Sequence, residues 1–251
     1  MNKNARILIV DDDTKMANTL VDILNTKGYE AEAAYSGHEA LDMVKEGLFD
    51  CVLTDIKMPA MNGVELFKAI KKENSDLPVV MMTAYSTHRL VKEGTEQGAI
   101  ATLTKPLDIN ALLRFFSTLS KERSIVIVDD DPQFSKFLGE ILRRRSFRVT
   151  EITDPSDLED MLSPDVQVVL LDIKLNGVTG LDVLKEIRKQ YPHLPVIMVT
   201  GYQKEMAPAI EACLKIGAYT CLYKPFEIEE LLKILTEIRH QKLGRILWQA
   251  C

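Results

Sequence analysis

Apolar residues fall into short unbroken runs, separated by longer stretches in which they recur every three or four positions. Residues 7–10, 51–54 and 79–82 are continuous runs of strand length, the pattern of strands buried on both faces of a parallel sheet. Between them Met16, Leu20, Ile23 and Leu24 keep helical spacing, and Gly28 stands where a C-terminal helix cap belongs. Leu66 and Ile70 mark a further helix that must stop before Pro78. A β-α alternation repeated five times predicts a three-layer α/β fold.

The pattern occurs twice. RILIVDDD at 6–13 returns as SIVIVDDD at 124–131, CVLTDIK at 51–57 as VVLLDIK at 168–174, LPVVMMT at 77–83 as LPVIMVT at 194–200, and TKPL at 104–107 as YKPF at 223–226. The offsets (130 − 12 = 118, 172 − 55 = 117, 200 − 83 = 117, 224 − 105 = 119) are nearly constant, so the chain is a duplication. We divide it into residues 1–121 and 122–251, joined by the short charged stretch 121–124.

Composition narrows the class. Residues 1–121 carry 14 Lys and Arg against 17 Asp and Glu, and the remainder 17 against 20, so each half has a net charge of −3. Neither half has the basic footprint of a nucleic-acid binder. No stretch approaches the apolar length of a membrane span, and the N-terminus runs straight into a strand without a leader, so a cytoplasmic protein is expected. The cysteines, Cys51, Cys213, Cys221 and Cys251, lack ligand-like spacing and read as reduced, mostly buried hydrophobes.

In open parallel sheets, ligands bind beyond the carboxyl ends of the strands. The polar residues cluster there. Asp11 and Asp12 follow the first strand, Asp55 ends the third, Thr83 ends the fourth and Lys105 follows the fifth; Asp129, Asp130, Asp172, Thr200 and Lys224 repeat the set. Singly, each has an ordinary explanation. An Asp at a strand end can simply cap a helix, as Asp13 and Asp131 are placed to do, and Lys-Pro can make a turn. Together, three acids around one point repel unless a cation compensates, and the same costly arrangement stands in both copies. Hard oxygen donors in small number suit Mg²⁺, and an Asp carboxylate can become an aspartyl phosphate. The pocket suits phosphoryl transfer onto Asp55 or Asp172, which needs mainly alignment and charge neutralisation.

These blocks resemble, twice and over almost the whole chain, the receiver domain of two-component response regulators. The resemblance implies two (βα)5 flavodoxin-like domains, each a five-stranded parallel sheet of order 2-1-3-4-5 with helices on both faces. It implies Asp12 and Asp130 as direct Mg²⁺ ligands, with Asp11 and Asp129 acting mainly through metal-bound water. Asp55 and Asp172 would be the acceptors, and the backbone carbonyls of Lys57 and Lys174 would complete each metal site. Thr83 and Thr200 would hydrogen-bond the phosphoryl group, and Lys105 and Lys224 would pair with it. The implied partner is a sensor histidine kinase or a histidine phosphotransfer protein, with homodimerisation as a further possibility. The expected role is a phosphorelay signalling module that switches conformation, not a turnover enzyme.

Several positions depart from the family pattern. The aromatic residue usual three positions before the Lys is replaced by Thr102 and Cys221, and Tyr223 lies on the same strand face as Cys221. The second copy has Leu175-Asn176 where the first has Met58-Pro59, which predicts a more mobile loop beside Asp172. No output domain follows within the sequence. Lys57 with Tyr85, and Lys174 with Tyr202, flank the expected path of attacking water, which predicts slow loss of phosphate. Arg143, Arg144 and Arg145 form a basic run, and residues 241–251 form an apolar tail. An alternative reading makes one copy a non-phosphorylated dimerisation or scaffold module. A Mg²⁺-dependent phosphatase is disfavoured, because Lys57 and Lys174 stand where it would need a second Asp.

Overall fold

The computed structural model describes residues 5–84, 99–119, 123–163, 165–201 and 207–248, with Trp248 described by its backbone alone. Tyr85, Tyr202 and the end of the tail lie outside the described residues, as do residues 121 and 122 of the join. The chain forms two compact units, Met1–Ser120 with Arg239–Cys251, and Lys121–Ile238. The tail from Arg239 onward thus belongs to the first unit, whereas the division read from the repeat assigned it to the second copy.

In the first unit, β1 (Arg6–Val10), α1 (Thr14–Thr26), β2 (Glu30–Ala34), α2 (Gly37–Glu46), β3 (Cys51–Asp55), α3 (Gly63–Glu73), β4 (Val79–Thr83), β5 (Ala101–Thr104) and α4 (Ile109–Leu119) follow in order. The strands pair in parallel as β2-β1-β3-β4-β5. Every residue of β3 and β4 is buried, as the unbroken apolar runs require. One face of the sheet packs Ile7, Ile9, Leu53 and Met82 against α1 and α4, including Phe115 and Phe116. The other packs Leu8, Val52 and Met81 against α2 and α3.

Helix starts follow local chemistry. The Asp13 carboxylate accepts from the N–H groups of Lys15 and Met16, and Asn62 and Glu65 form a reciprocal capping box at α3. Asp13 is therefore a cap. Lys27 ends α1, and Gly28 follows with a positive φ of 88°, the left-handed turn that the spacing predicted.

The second unit contains β6 (Arg123–Val128), α5 (Pro132–Arg143), β7 (Phe147–Ile152), a 3-10 turn (Pro155–Asp157), α6 (Leu158–Met161), β8 (Val166–Asp172), α7 (Gly180–Gln190), β9 (Val196–Thr200), α8 (Ala207–Lys215), β10 (Thr220–Tyr223) and the start of α9 (Ile228–Trp248), whose residues from Arg239 belong to the first unit. Its parallel sheet has the order β7-β6-β8-β9-β10, which repeats 2-1-3-4-5. Both sheets thus have the topology expected. The helix between the second and third strands differs, since α6 has 4 residues where α2 has 10. Asp131 caps α5 through the N–H groups of Gln133 and Phe134.

Candidate functional site

Each site gathers at the carboxyl edge of its sheet because β1, β3, β4 and β5, or their second-copy counterparts, end there side by side. In the first unit, Asp11, Asp55 and Thr83 are buried. The Lys105 N–H donates to the Thr83 carbonyl at 2.8 Å, which fixes the start of its side chain. Its Nζ then lies 2.7 Å from Asp11 Oδ2 and 2.6 Å from Asp55 Oδ1. The second Asp55 oxygen accepts from the Lys57 N–H at 2.8 Å, and Asp11 Oδ1 accepts from the Asp13 N–H at 3.0 Å.

The second unit repeats this arrangement. Lys224 N–H donates to the Thr200 carbonyl at 2.8 Å, and its Nζ lies 2.6 Å from both Asp129 Oδ2 and Asp172 Oδ2. Asp172 Oδ1 accepts from the Lys174 N–H at 2.9 Å, and Asp129 Oδ1 from the Asp131 N–H at 3.1 Å. Thr200 is fully buried at the end of β9.

Each site holds three carboxylates and one ammonium, a formal charge of −3 + 1 = −2. The charge balance is strained accordingly. Burial pushes the Asp55 carboxyl above its usual range, although the Lys105 ammonium and the Lys57 N–H pull it back. Burial likewise raises Asp129, against the pull of Lys224. For Lys105 and Lys224 burial alone would lower the ammonium, but their two carboxylate partners outweigh it and hold both above the ordinary lysine range. Removing either ammonium would strand buried charge, at a cost of about 3 kcal/mol or more.

The third carboxylate separates the copies. Asp129, Asp130 and Asp172 each offer an oxygen within 4.8 Å of the others, the donor set of a hard divalent cation. Among the described residues this is the one such cluster. In the first unit Asp12 is exposed and lines a shallow surface cavity of about 690 Å³ with Lys57, Met58 and Pro59. In the loops after the acceptors, Leu175 is buried in the second copy as Met58 is in the first. The Lys57 and Lys174 side chains are exposed.

At the positions that lack the usual aromatic residue, Thr102 is buried and its hydroxyl has no hydrogen-bond partner among the described residues. Cys221 is half-buried, and burial, with Cys213 and Asp172 nearby, pushes its thiol up to about 11. Tyr223 is exposed.

Sequence reasoning missed two contributors. Gly63 and Gly180, each eight positions beyond its acceptor (63 − 55 and 180 − 172), press their backbones so closely on the Asp55 and Asp172 carbonyls that a Cβ would collide with them. Their N–H groups donate to Ile56 and Ile173 carbonyls at 2.9 Å. The equal spacing in the repeat was the signal. The second is Phe134, whose ring lies against Lys224 and meets Phe226 edge-on at 6.1 Å; no local pattern marks it.

Known proteins share this frame. The family model of the response regulator receiver domain matches residues 7–116 and again 125–236. A response regulator receiver protein of Anaeromyxobacter sp. (strain Fw109-5) is 30% identical over 94% of this chain and 96% of its own length. Sporulation initiation phosphotransferase F of Bacillus subtilis (strain 168) is 38% identical over 43% of this chain and 88% of its own. The transcriptional regulatory protein ZraR of Salmonella typhimurium is 42% identical over 42% of this chain, and only 24% of its own length is matched. A solved structure of a probable two-component system response regulator/GGDEF domain protein aligns with 96% of this chain and 99% of its own, at 22% identity and a TM-score of 0.47. Two family matches at the positions of the two repeats, and a relative aligned over 94% of the chain, agree on one assignment: the chain belongs to the response regulator receiver domain family and carries that domain twice.

Proposed function

We propose that both copies are phosphoacceptors, Asp55 in the first and Asp172 in the second, and that a sensor histidine kinase or a histidine phosphotransfer protein supplies the phosphoryl group. The observation that carries this reading is the lysine bridge. In both copies one ammonium spans the buried carboxylate after the first strand and the buried carboxylate that ends the third. That ammonium is placed to release one carboxylate and pair with an incoming phosphoryl oxygen, the charge compensation that such a transfer requires.

A carboxylate oxygen of Asp55 or Asp172 forms the new P–O bond while the bond to the donor nitrogen breaks. The Lys57 or Lys174 N–H holds the other carboxylate oxygen and so aims the attacking one. The Thr83 and Thr200 hydroxyls would donate to the transferred group. Asp12 and Asp130, the acceptors, the Lys57 and Lys174 carbonyls and, through water, Asp11 and Asp129 would hold Mg²⁺. Bound Mg²⁺ supplies neutralisation of the phosphoryl oxygens and offsets the formal charge of −2 at each site. The module acts by changing shape when phosphorylated, not by turning over a substrate.

A second reading gives phosphate to one copy and a scaffold role to the other. It is favoured by the contrast between the gathered Asp129, Asp130 and Asp172 and the outlying Asp12. Acetyl phosphate labelling of the single variants Asp55→Asn and Asp172→Asn separates the two. Label lost by half in each variant supports two acceptors. Label unaffected by one substitution assigns the scaffold role to that copy, and label that survives the double substitution rejects both sites.

A further inference from the structure

The second unit has a groove beside its short second-position helix. Between β2 and β3 the chain spends 51 − 34 − 1 = 16 residues, but between β7 and β8 only 166 − 152 − 1 = 13, one because the second copy is a residue shorter there (118 − 117) and two because β8 begins at Val166, ahead of the counterpart of Cys51. Three residues are almost a full helical turn, and Pro155 commits part of the remainder to a 3-10 turn. In the first unit Ala40, Val44, Leu41 and Met43 of α2, with Met61, pack over α3. In the second, the shortened α6 leaves a cavity of about 760 Å³ against α7.

The groove is apolar below and acidic at the rim. Leu158, Leu162, Val183, Ile187 and Tyr191 line it, and so do the carboxylates of Asp154, Glu159, Asp182 and Glu186, with no Lys or Arg among the lining residues. Residues 153–165 carry five acidic residues and no basic one, and Met161 stands exposed beside them. One end is tied by Gln190 Nε2 donating to Glu159 Oε1 at 2.7 Å and by Tyr191 Oη donating to the Leu162 carbonyl at 3.2 Å. Asn176, Gly177 and Val178, from the loop that follows Asp172, form the other wall.

We propose that this groove docks an amphipathic helical segment of a partner protein, with leucine-sized side chains on one face flanked by Lys or Arg. The missing element is a helical turn, so a helix laid along α7 restores the packing that α2 gives the first unit. Leu162, Val178 and Tyr191 are only partly buried and Met161 is exposed, so a docked hydrophobic face has apolar surface left to cover. The acidic rim selects cationic flanks and repels nucleic acid and anionic lipid surfaces. Asp182 and Glu186 are partly compensated from the solvent side by Lys185 and Lys189, so the pull should be moderate and salt-sensitive. The assignment does not depend on phosphate transfer.

The test uses the full chain and a fluorescent synthetic helix of leucine and lysine in amphipathic order, read by anisotropy. Three comparisons decide it: the helix with glutamate for lysine, the helix with serine for leucine, and the variant Glu159→Lys/Glu186→Lys. The leucine-lysine helix should bind, both altered helices should fail, and the variant should bind about ten-fold more weakly. The control Glu46→Lys/Glu73→Lys, on exposed sites of the first unit, should bind as the wild type does. NMR shifts on the wild-type protein should localise to Leu162, Val178 and Tyr191. Equal weakening by the control pair, equal binding of the serine helix, or shifts elsewhere would each overturn the proposal. Self-association of the chain abolished by the same Glu159 and Glu186 reversals would assign the groove to a second copy and overturn it as well.

Discussion

The Lys224 ammonium lies 4.1 Å from the centre of the Phe134 ring, whereas the first copy has Met16 at the corresponding position (134 − 118). A ring face this close to a partly buried ammonium adds about 0.5–2 kcal/mol to the grip of the two carboxylates. Phe134→Met, which copies the first unit, should therefore slow labelling of Asp172 by acetyl phosphate about two- to ten-fold and leave Asp55 unaffected. Mass-spectrometric rates at the two sites in one sample check this. Equal rates in variant and wild type would remove Phe134 from the site.

Gly63 and Gly180 have no room for a methyl group against the acceptor carbonyls. Gly63→Ala and Gly180→Ala should each lower the stability of their own unit by about 1–3 kcal/mol, read from denaturant midpoints. The obstacle is backbone, so side-chain rearrangement cannot relieve it. A neutral result at either position would mean that the loop after the acceptor shifts freely.

Metal binding should be two-fold and weak without phosphate, since few protein groups contribute. Calorimetric titration with Mg²⁺ should resolve two sites, and Asp12→Ala and Asp130→Ala should each delete one. The closer donor set of the second copy predicts that the site lost with Asp130→Ala is the tighter. Wild-type binding in both variants would disprove the metal assignment.

Acid should loosen the first unit through His240. Its Nε2 lies 3.4 Å from the Asp76 carbonyl, and burial, with Lys71 and Arg239 nearby, pushes the imidazole down from 6.5 to about 4. The unfolded chain takes up this proton first, so the stability held above pH 6.5 is lost as pH falls toward 4, by at most about 3 kcal/mol. His240→Gln should flatten that part of the stability-pH curve. A variant curve parallel to the wild type between those limits would show that the ring titrates in contact with water.

The central strands were legible because parallel strands covered on both faces are apolar except at their ends, as β3, β4 and β9 are, and all three are buried along their whole length. The edge strand β2 was not, since its sequence EAEAA buries only Ala31 and Ala34 and has the composition of a helix. The site residues could be placed because strand ends sit at fixed points in each repeat. Phe134 could not, because its meeting with Lys224 spans 224 − 134 = 90 positions. The shortening of α6 was not legible, because the repeat loses only one residue there (118 − 117) and the rest of the difference comes from β8 starting at Val166, two residues before the counterpart of Cys51.

The tail of α9 sets the order in which the molecule can be completed. Leu243 and Leu247 are buried in the same core as Ile100, Phe115 and Phe116, and Gly244 passes so close to the Ile100 carbonyl that a Cβ would stand 2.9 Å from it. The ribosome makes these residues after every strand of both sheets, while domains otherwise tend to fold from the N-terminus as they emerge. The first unit therefore begins folding first and finishes last, and its apolar face waits uncovered for the whole synthesis of the second. A gene fragment that stops at the end of the first repeat encodes all of that unit's strands and none of its final cover.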